Sequence, residues 1–539
     1  MTRNSRVGWL LLLLSILAMS GMIANAQASH ATMSSLDKNS RELMNITMKF
    51  GDQYWDEEKG LVRAPERPHS NPAANSEGGG TTARARNSAA FAGRNYYMVR
   101  ESNWYALGLL LRDAPGDRDR AAKIIESVLK AQFRNPGKPW DGTFRTHPDA
   151  PDPGDSAVMW RNYDPNWRVF IGTTFALMLN EYPDRIPKDL ANRMMESIDY
   201  AIAGEIREAR LLPSYTNIAL MYGYLWAYAA EKGGRPEWKQ PAANWQEEVY
   251  KLYKEHDAFN EYNSPTYCGT DLYGIALWRN YGLTERTRAM GRDMEAGLWR
   301  ATADLYNPNL RNLSGPYDRS YGMDMQTYVA IMGLWLRLKM DASKAPLTDF
   351  TPPVEHNDDM FFIPELVVLR AQIPDDAMKS FLNFQGEHQV RRPIEGTRVA
   401  TAWIGKTPMY GGEITSHLRR ADGSSQFHPV TAHWLTPTGT VAWLKMTRCP
   451  LIDADATKQG INITTEPGEV TFRIFSPDVK PSDVAADKWN LAGLTVTINT
   501  DGTGFRAEAG EGYVDVTYMA VSRMKMQLAQ PNTVAQNAM

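Results

Sequence analysis

The feature that most constrains this chain is a change of hydrophobic period. From about residue 34 to about residue 340 apolar residues recur at helical spacing, broken by Gly, Pro and polar clusters. The spacing predicts helices over 119–133, 167–181, 187–209, 217–231, 245–256, 272–281, 285–305 and 321–340, with weaker ones near 40–55 and 103–112. Beyond Pro346 the texture becomes short β-branched and aromatic runs, at 397–404, 427–435, 439–446, 469–475, 491–499 and 512–521. Turn chemistry such as Thr436-Pro437-Thr438-Gly439 separates them. Helices followed by strands form separate layers and not a βαβ alternation, so the expected class is multidomain α+β. Helices pair as α/α hairpins over 27–345, a linker with the first strands fills 346–390, and an antiparallel β-sheet domain covers 391–539.

The N-terminus reads as an address. Arg3 and Arg6 precede an uncharged run from Val7 to Ala26, with Ala24-Asn25-Ala26 as its exit, the layout of a secretory signal peptide over 1–26. Its removal takes away two Arg and no acid, leaving 57 basic against 62 acidic residues, a formal −5. No later run approaches the ~20 apolar residues of a membrane span, so the expected product is secreted or periplasmic and off the membrane after cleavage. The whole chain, at −3, lacks the basic excess of a nucleic-acid binder. C-x-x-C, H-E-x-x-H, G-K-[ST] and G-x-G-x-x-G are absent, so no cofactor or metal centre is expected from motifs. The acidic loop 149–155 is the one place where a structural calcium ion is entertained. Cys268 and Cys449 are either one disulfide or two buried thiols.

Chemistry concentrates in five polar, aromatic segments at helix starts. The densest, 259–271, offers Asn260, Glu261, Tyr262, Asn263 and Tyr267 around Ser264-Pro265. Capping explains two of these residues, and the rest exceed what a helix start needs. The second, 313–325, carries Tyr317, Asp318, Arg319, Tyr321 and Asp324; its plain reading is an Asp318–Arg319 ion pair that fixes the loop. The others hold Tyr215 and Asn217, then Asn166, Trp167 and Arg168, then Asn103 and Trp104. Apolar sugar faces bind aromatic platforms while hydroxyls need fixed hydrogen bonds, so Trp and Tyr interleaved with Asn, Asp, Glu and Arg point to a polysaccharide or oligosaccharide ligand.

With these segments in place, the chain resembles the secreted (α/α)-toroid carbohydrate enzymes with a C-terminal β-domain, a class including hyaluronate, chondroitin, alginate and heparin-type lyases. Asn166-Trp167-Arg168-Val169-Phe170-Ile171-Gly172 is similar to the Asn-Trp…Ile-Gly segment of the chondroitin-type members. The resemblance implies a six-hairpin-like toroid followed by an antiparallel β-sandwich or β-sheet. It also implies β-elimination by a Tyr acting as base or acid, often with a His, and an Asn or Arg neutralising a uronate carboxylate. Tyr262 or Tyr267 then takes the base and acid roles, with Asn217, Asn263 and Arg319 on the carboxylate. Asn103, Trp104, Asn166, Trp167, Arg168, Tyr215, Tyr317, Asp318 and Tyr321 bind the chain. None of the nine His lies in the five segments; His256 and His147 are closest in sequence, and His417 and His428 are second choices on the β-domain. The alternatives are a glycoside hydrolase pairing Glu261 with Asp318 or Asp324, and a glycan-binding protein without catalysis.

Overall fold

The computed structural model describes residues 30–65, 96–347, 354–422 and 426–530. The expected signal segment lies outside the described residues. Twelve α-helices are described: α1 (Lys38–Tyr54), α2 (Val99–Arg112), α3 (Asp117–Lys130), α4 (Trp167–Glu181), α5 (Lys188–Glu208), α6 (Thr216–Lys232), α7 (Pro236–His256), α8 (Tyr267–Tyr281), α9 (Glu285–Leu305), α10 (Ile331–Lys339), α11 (Ile363–Leu369) and α12 (Asp375–Leu382). None is long and apolar enough to cross a membrane.

Packing closes these helices into a ring. α2, α4, α6 and α8 lie side by side in that order, α8 packs on α10, α10 on α1, and α1 on α2. Each of α3, α5, α7 and α9 folds back on the outside of the helix before it, and α11 packs against α1, α2, α8 and α10 at the centre. The division follows from sequence. Outer α3 is amphipathic and buries Ala121, Ile124, Ile125 and Val128 along one stripe. Inner α4 and α6 are apolar on nearly every side and bury most of their length. Where α8 meets α10 the backbones nearly touch: a Cβ on Gly269 would stand 2.4 Å from the Met332 amide nitrogen.

The second layer is an 11-stranded antiparallel sheet. Its strands are β1 (His388–Pro393), β2 (Val399–Ile404), β3 (Met409–Ile414), β4 (Arg420–Ala421), β5 (Val430–Leu435), β6 (Val441–Thr457), β7 (Gly460–Phe475), β8 (Lys488–Leu491), β9 (Leu494–Thr500), β10 (Gly504–Ala509) and β11 (Val514–Ala529). The order along the sheet is β8-β9-β11-β7-β6-β5-β3-β2-β1, with β10 on β11 and β4 on β6. Period-two alternation aims Ile461, Ile463, Val470, Phe472 and Ile474 of β7 into a core separate from that of the ring. The sheet meets the ring through the 315–323 loop: Tyr317 pairs with His428 in an antiparallel bridge, and the Met323 carbonyl contacts His433 Nε2 at 2.7 Å.

Several expectations need correction. The described part of 346–390 holds α11 and α12 with only the start of β1, and is not a linker with strands. The helix expected over 321–340 is confined to α10, because Asp324 and Asn312 spend their side chains shaping a turn ahead of it. α7 starts at Pro236 and runs through Pro241, well ahead of the expected 245. Of the two alternatives left open for the cysteines the structure takes the second, which needs no correction: Cys268 and Cys449 are buried free thiols, and burial pushes the Cys449 thiol up to about 12.

Candidate active site

The N-terminal ends of α2, α4, α6 and α8 lie together at one end of the ring, joined by direct contacts. The Arg100 guanidinium on α2 lies 5.3 Å from the Trp167 ring and 5.2 Å from Phe170 on α4. Asn166, ahead of α4, donates to the Tyr215 hydroxyl ahead of α6 at 3.2 Å. Converging helix N-termini carry partial positive charge and favour anions.

The segment before α8 is held by its own caps. Tyr267 N–H donates to Ser264 Oγ at 2.9 Å, and the Asn263 amide donates to the carbonyls of Ser314 and Pro316 at 2.6 and 2.8 Å. This leaves the Glu261 carboxylate, 20% exposed, to side chains from neighbouring elements. One carboxylate oxygen accepts from Arg319 Nη1 at 2.9 Å, the other from Thr216 Oγ1 at 2.8 Å and Asn217 Nδ2 at 3.2 Å. Arg319 donates through Nε to Gln426 Oε1 at 2.7 Å and lies 4.0 Å over the Tyr267 ring. The hydroxyls of Tyr267 and Tyr321 share a hydrogen bond, and Tyr321 stacks on His356 at 4.9 Å and 22°. Burial pushes the Tyr267 phenol well above its ordinary range, Tyr321 adds to the rise, and Arg319 opposes it.

A second carboxyl group belongs to this end. Burial raises Asp164, while the Asn166 N–H at 2.9 Å and the charges of Arg100, Arg210 and Arg319 pull it back down. One turn into α8, Asp271 is fully buried with neither oxygen hydrogen-bonded. Burial, with the charge of Glu261 adding, raises it well above the ordinary carboxyl value.

The candidates thus divide. Asn166, Tyr215, Asn217, Glu261, Tyr267, Arg319 and Tyr321 meet at one place. Tyr262 does not join them: its hydroxyl is buried without a partner beside a small cavity lined by Phe259, Cys268, Leu298 and Leu313. Burial raises that phenol further, which removes Tyr262 as base. Asn263 is spent on backbone carbonyls, and Asp324 accepts from Asn312 at 2.7 Å and from Gln326 N–H at 3.0 Å, so neither faces a ligand. Asp318 does not pair with Arg319. Its carboxylate takes Arg398 Nη2 at 2.6 Å, Arg419, and the Tyr262 N–H at 2.9 Å, which also ends its role as half of a hydrolytic pair. Tyr317 is fully buried with its hydroxyl on the Leu313 carbonyl, and Asn103 donates to the Ile171 carbonyl at 3.3 Å. Trp104 and Trp167, expected as platforms, are 3% and 2% exposed. Arg168 is fully buried on Glu205 at 3.0 Å, a carboxylate that Arg210 also bonds at 2.8 Å, and cannot reach a ligand.

Of the histidines, His428 and His433 are buried and lowered by that burial, His433 to about 4. His417 lies on the sheet surface against Asp453 and Thr464. The site takes His356 instead. The sequence pattern did not single out Asp164, Arg210, Asp271 or Gln426; Asp164 stands two residues before Asn166 and Asp271 closes the 259–271 segment, while His356 and Gln426 have no local signal. In the 149–155 loop, Asp152 pairs with Arg145 and Asp155 with Lys138, so both carboxylates are already neutralised. Among the described residues no group of three or more His, Cys, Asp or Glu is placed to hold a metal ion.

The architecture is therefore a closed ring of α/α hairpins carrying an antiparallel β-domain, with a cluster of polar side chains at the inner helix N-termini. The chain belongs to a family described as a domain of unknown function, DUF8769, whose model matches residues 85–371, a span that holds the site residues named above except Gln426 and none of the sheet. Among solved structures, heparinase III aligns at a TM-score of 0.43 and 9% identity, over 92% of this chain and 86% of that one. Endoglucanase CelQ from Clostridium thermocellum, in complex with cellobiose and cellotriose, aligns at 0.27 and 9% identity, over 92% and 93%. No curated protein matches the chain.

Proposed function

We propose that this chain is an exported enzyme that cleaves a uronate-containing polysaccharide by β-elimination. The observation that carries the reading is the contact chain Glu261–Arg319–Tyr267–Tyr321–His356 at the end of the ring where helix N-termini converge.

In this reaction a base removes the proton beside the uronate carboxylate, the bond to the leaving sugar oxygen breaks, and that oxygen takes a proton. Arg319, oriented by Glu261 and Gln426, and Asn217 beside it neutralise the carboxylate as charge develops. Tyr321, partly open to solvent, is the base. Tyr267 remains protonated because burial disfavours its phenolate, and its hydroxyl donates to the Tyr321 oxygen, so Tyr321 enters the step as the deprotonated member of the pair and becomes the neutral phenol when it takes the substrate proton. The proton gained by Tyr321 is then available to the leaving oxygen. The export reading rests on residues 1–26.

One observation favours a second reading, glycoside hydrolysis. Asp164 is raised by burial yet lies within the field of the same Arg319 that bonds Glu261, so two carboxyl groups with different surroundings share one cleft. Such pairs divide into acid and base, with Asp164 as proton donor and Glu261 as its partner.

Incubating the purified protein with hyaluronan, chondroitin, alginate and heparan-type polymers separates the two. The ultraviolet absorbance of new unsaturated uronate ends is the expected product signal. Reducing ends released without that absorbance would overturn elimination in favour of hydrolysis.

A further inference from the structure

The expected stacking tryptophans are buried, and a different one is presented. Of the described tryptophans only Trp160 is exposed, at 38%. Its φ is +67°, a left-handed conformation uncommon for a bulky side chain. A tight turn imposes it: Trp160 N–H donates to the Tyr163 carbonyl at 2.9 Å, Asn162 N–H to the Val158 carbonyl at 2.9 Å, and Val158 N–H to Asn162 Oδ1 at 2.9 Å. The turn is anchored below by Tyr163, packed 5.9 Å from the Trp140 ring, and by Thr143 Oγ1 donating to the Asp164 carbonyl at 2.7 Å. Residues held in sparsely populated backbone regions cluster at ligand clamps.

The indole leads into the cleft. The Arg210 guanidinium lies 5.8 Å from its ring centroid and donates to Asn166 Oδ1 at 2.9 Å and to Glu205 at 2.8 Å, a carboxylate shared with Arg168, so two guanidiniums stand against one carboxylate; Asn166 in turn donates to Tyr215. Val158, Met159 and Leu212 are exposed around the same rim, an apolar surface beside a cation.

We propose that Trp160 and Arg210 form an outer subsite for an acidic sugar unit of the polymer, apart from the bond that reacts; this rests on the carbohydrate reading of the cleft. The indole takes the apolar face of the ring and Arg210 its anionic substituent. The rigid turn sets the ring before the ligand arrives, so little ordering entropy is lost on binding.

The test is affinity electrophoresis of the full chain in gels containing hyaluronan, chondroitin sulfate, alginate or neutral hydroxyethyl cellulose. Trp160→Gly removes the ring at a backbone position that suits glycine, and Trp160→Phe restores an aromatic face. An acidic polymer is expected to retard the wild type, W160G to bind it about tenfold more weakly, and W160F to recover most of the loss. Equal retardation of wild type and W160G overturns the subsite, even if elimination products form. Absence of wild-type retardation by every acidic polymer, or equal weakening of W160G on the neutral one, also overturns it. Retardation lost in W160G without any unsaturated product overturns elimination and leaves the subsite standing.

Discussion

Asp318 and Arg319 are adjacent in sequence and belong to two ionic clusters of opposite character. Arg319 pairs with Glu261 where both side chains keep contact with solvent, at 33% and 20% exposure. Asp318 is closed inside the seam between ring and sheet, at 1%, with Arg398, Arg419 and the fully buried Glu413. Both use guanidinium–carboxylate bonds, yet only the first leaves room for a ligand. The seam cluster comes from the sheet and grips the loop that carries Arg319, while Gln426, also from the sheet, orients the guanidinium itself. Closure, and not residue type, separates a joint from a working site.

That contrast makes ordered predictions. Arg398→Ala leaves Asp318 and Glu413 buried with less compensation and is expected to lower unfolding free energy by about 3–5 kcal/mol, measured by urea denaturation. Arg319→Ala is expected to do the reverse, cutting kcat by about 10²–10³ as for a lost oxyanion donor while the urea midpoint stays close to wild type. A midpoint shift in R319A as large as that in R398A would erase the distinction.

The next effect is a pH dependence. Burial, with Asp318 beside it, raises Glu413 to about 8 from an ordinary 4.5, against the pull of Arg398 and Arg419. The folded state therefore keeps a proton that the unfolded chain has released, and stability is full below about 4.5 and falls as pH rises toward 8. Glu365 on α11, raised by burial to about 8, adds a fall of the same sign. Glu413→Gln is expected to flatten the fall by up to about 1.4 kcal/mol per pH unit, read from denaturation midpoints between acid and neutral pH. An unchanged slope would mean that Glu413 is already ionised in the fold. Smallest is Gln426→Ala, which frees Arg319 from one hydrogen bond between its charged guanidinium and a neutral acceptor, worth about 1.5 kcal/mol. A several-fold loss of kcat/KM without a stability change is expected.

The division into helices and strands was legible because hydrophobic period is a local property: α3 and β7 each show their buried face in a few residues. The crowding of polar groups at helix starts was legible for the same reason. Which of them face a ligand was not. Within 259–271, Asn263 turns to the Ser314 and Pro316 carbonyls and Glu261 turns to Arg319, and that choice depends on where the 313–325 loop runs. His356 and Gln426 arrive from segments remote in sequence and carry no motif. Trp104 and Trp167 look like platforms beside their asparagines, but the closing of α2 on α4 buries them. Trp160 is exposed on a turn with a left-handed backbone, which hydrophobic pattern does not reveal.

The central claim is that the Tyr267–Tyr321 pair beside Arg319 performs elimination. The most direct measurement compares wild type with Tyr321→Phe for the rate of unsaturated-end absorbance on whichever uronate polymer the wild type cleaves. The account predicts a fall of about 10²–10⁴, the usual worth of a positioned acid–base group, with an unchanged urea midpoint. Wild-type rates retained by Y321F would contradict it.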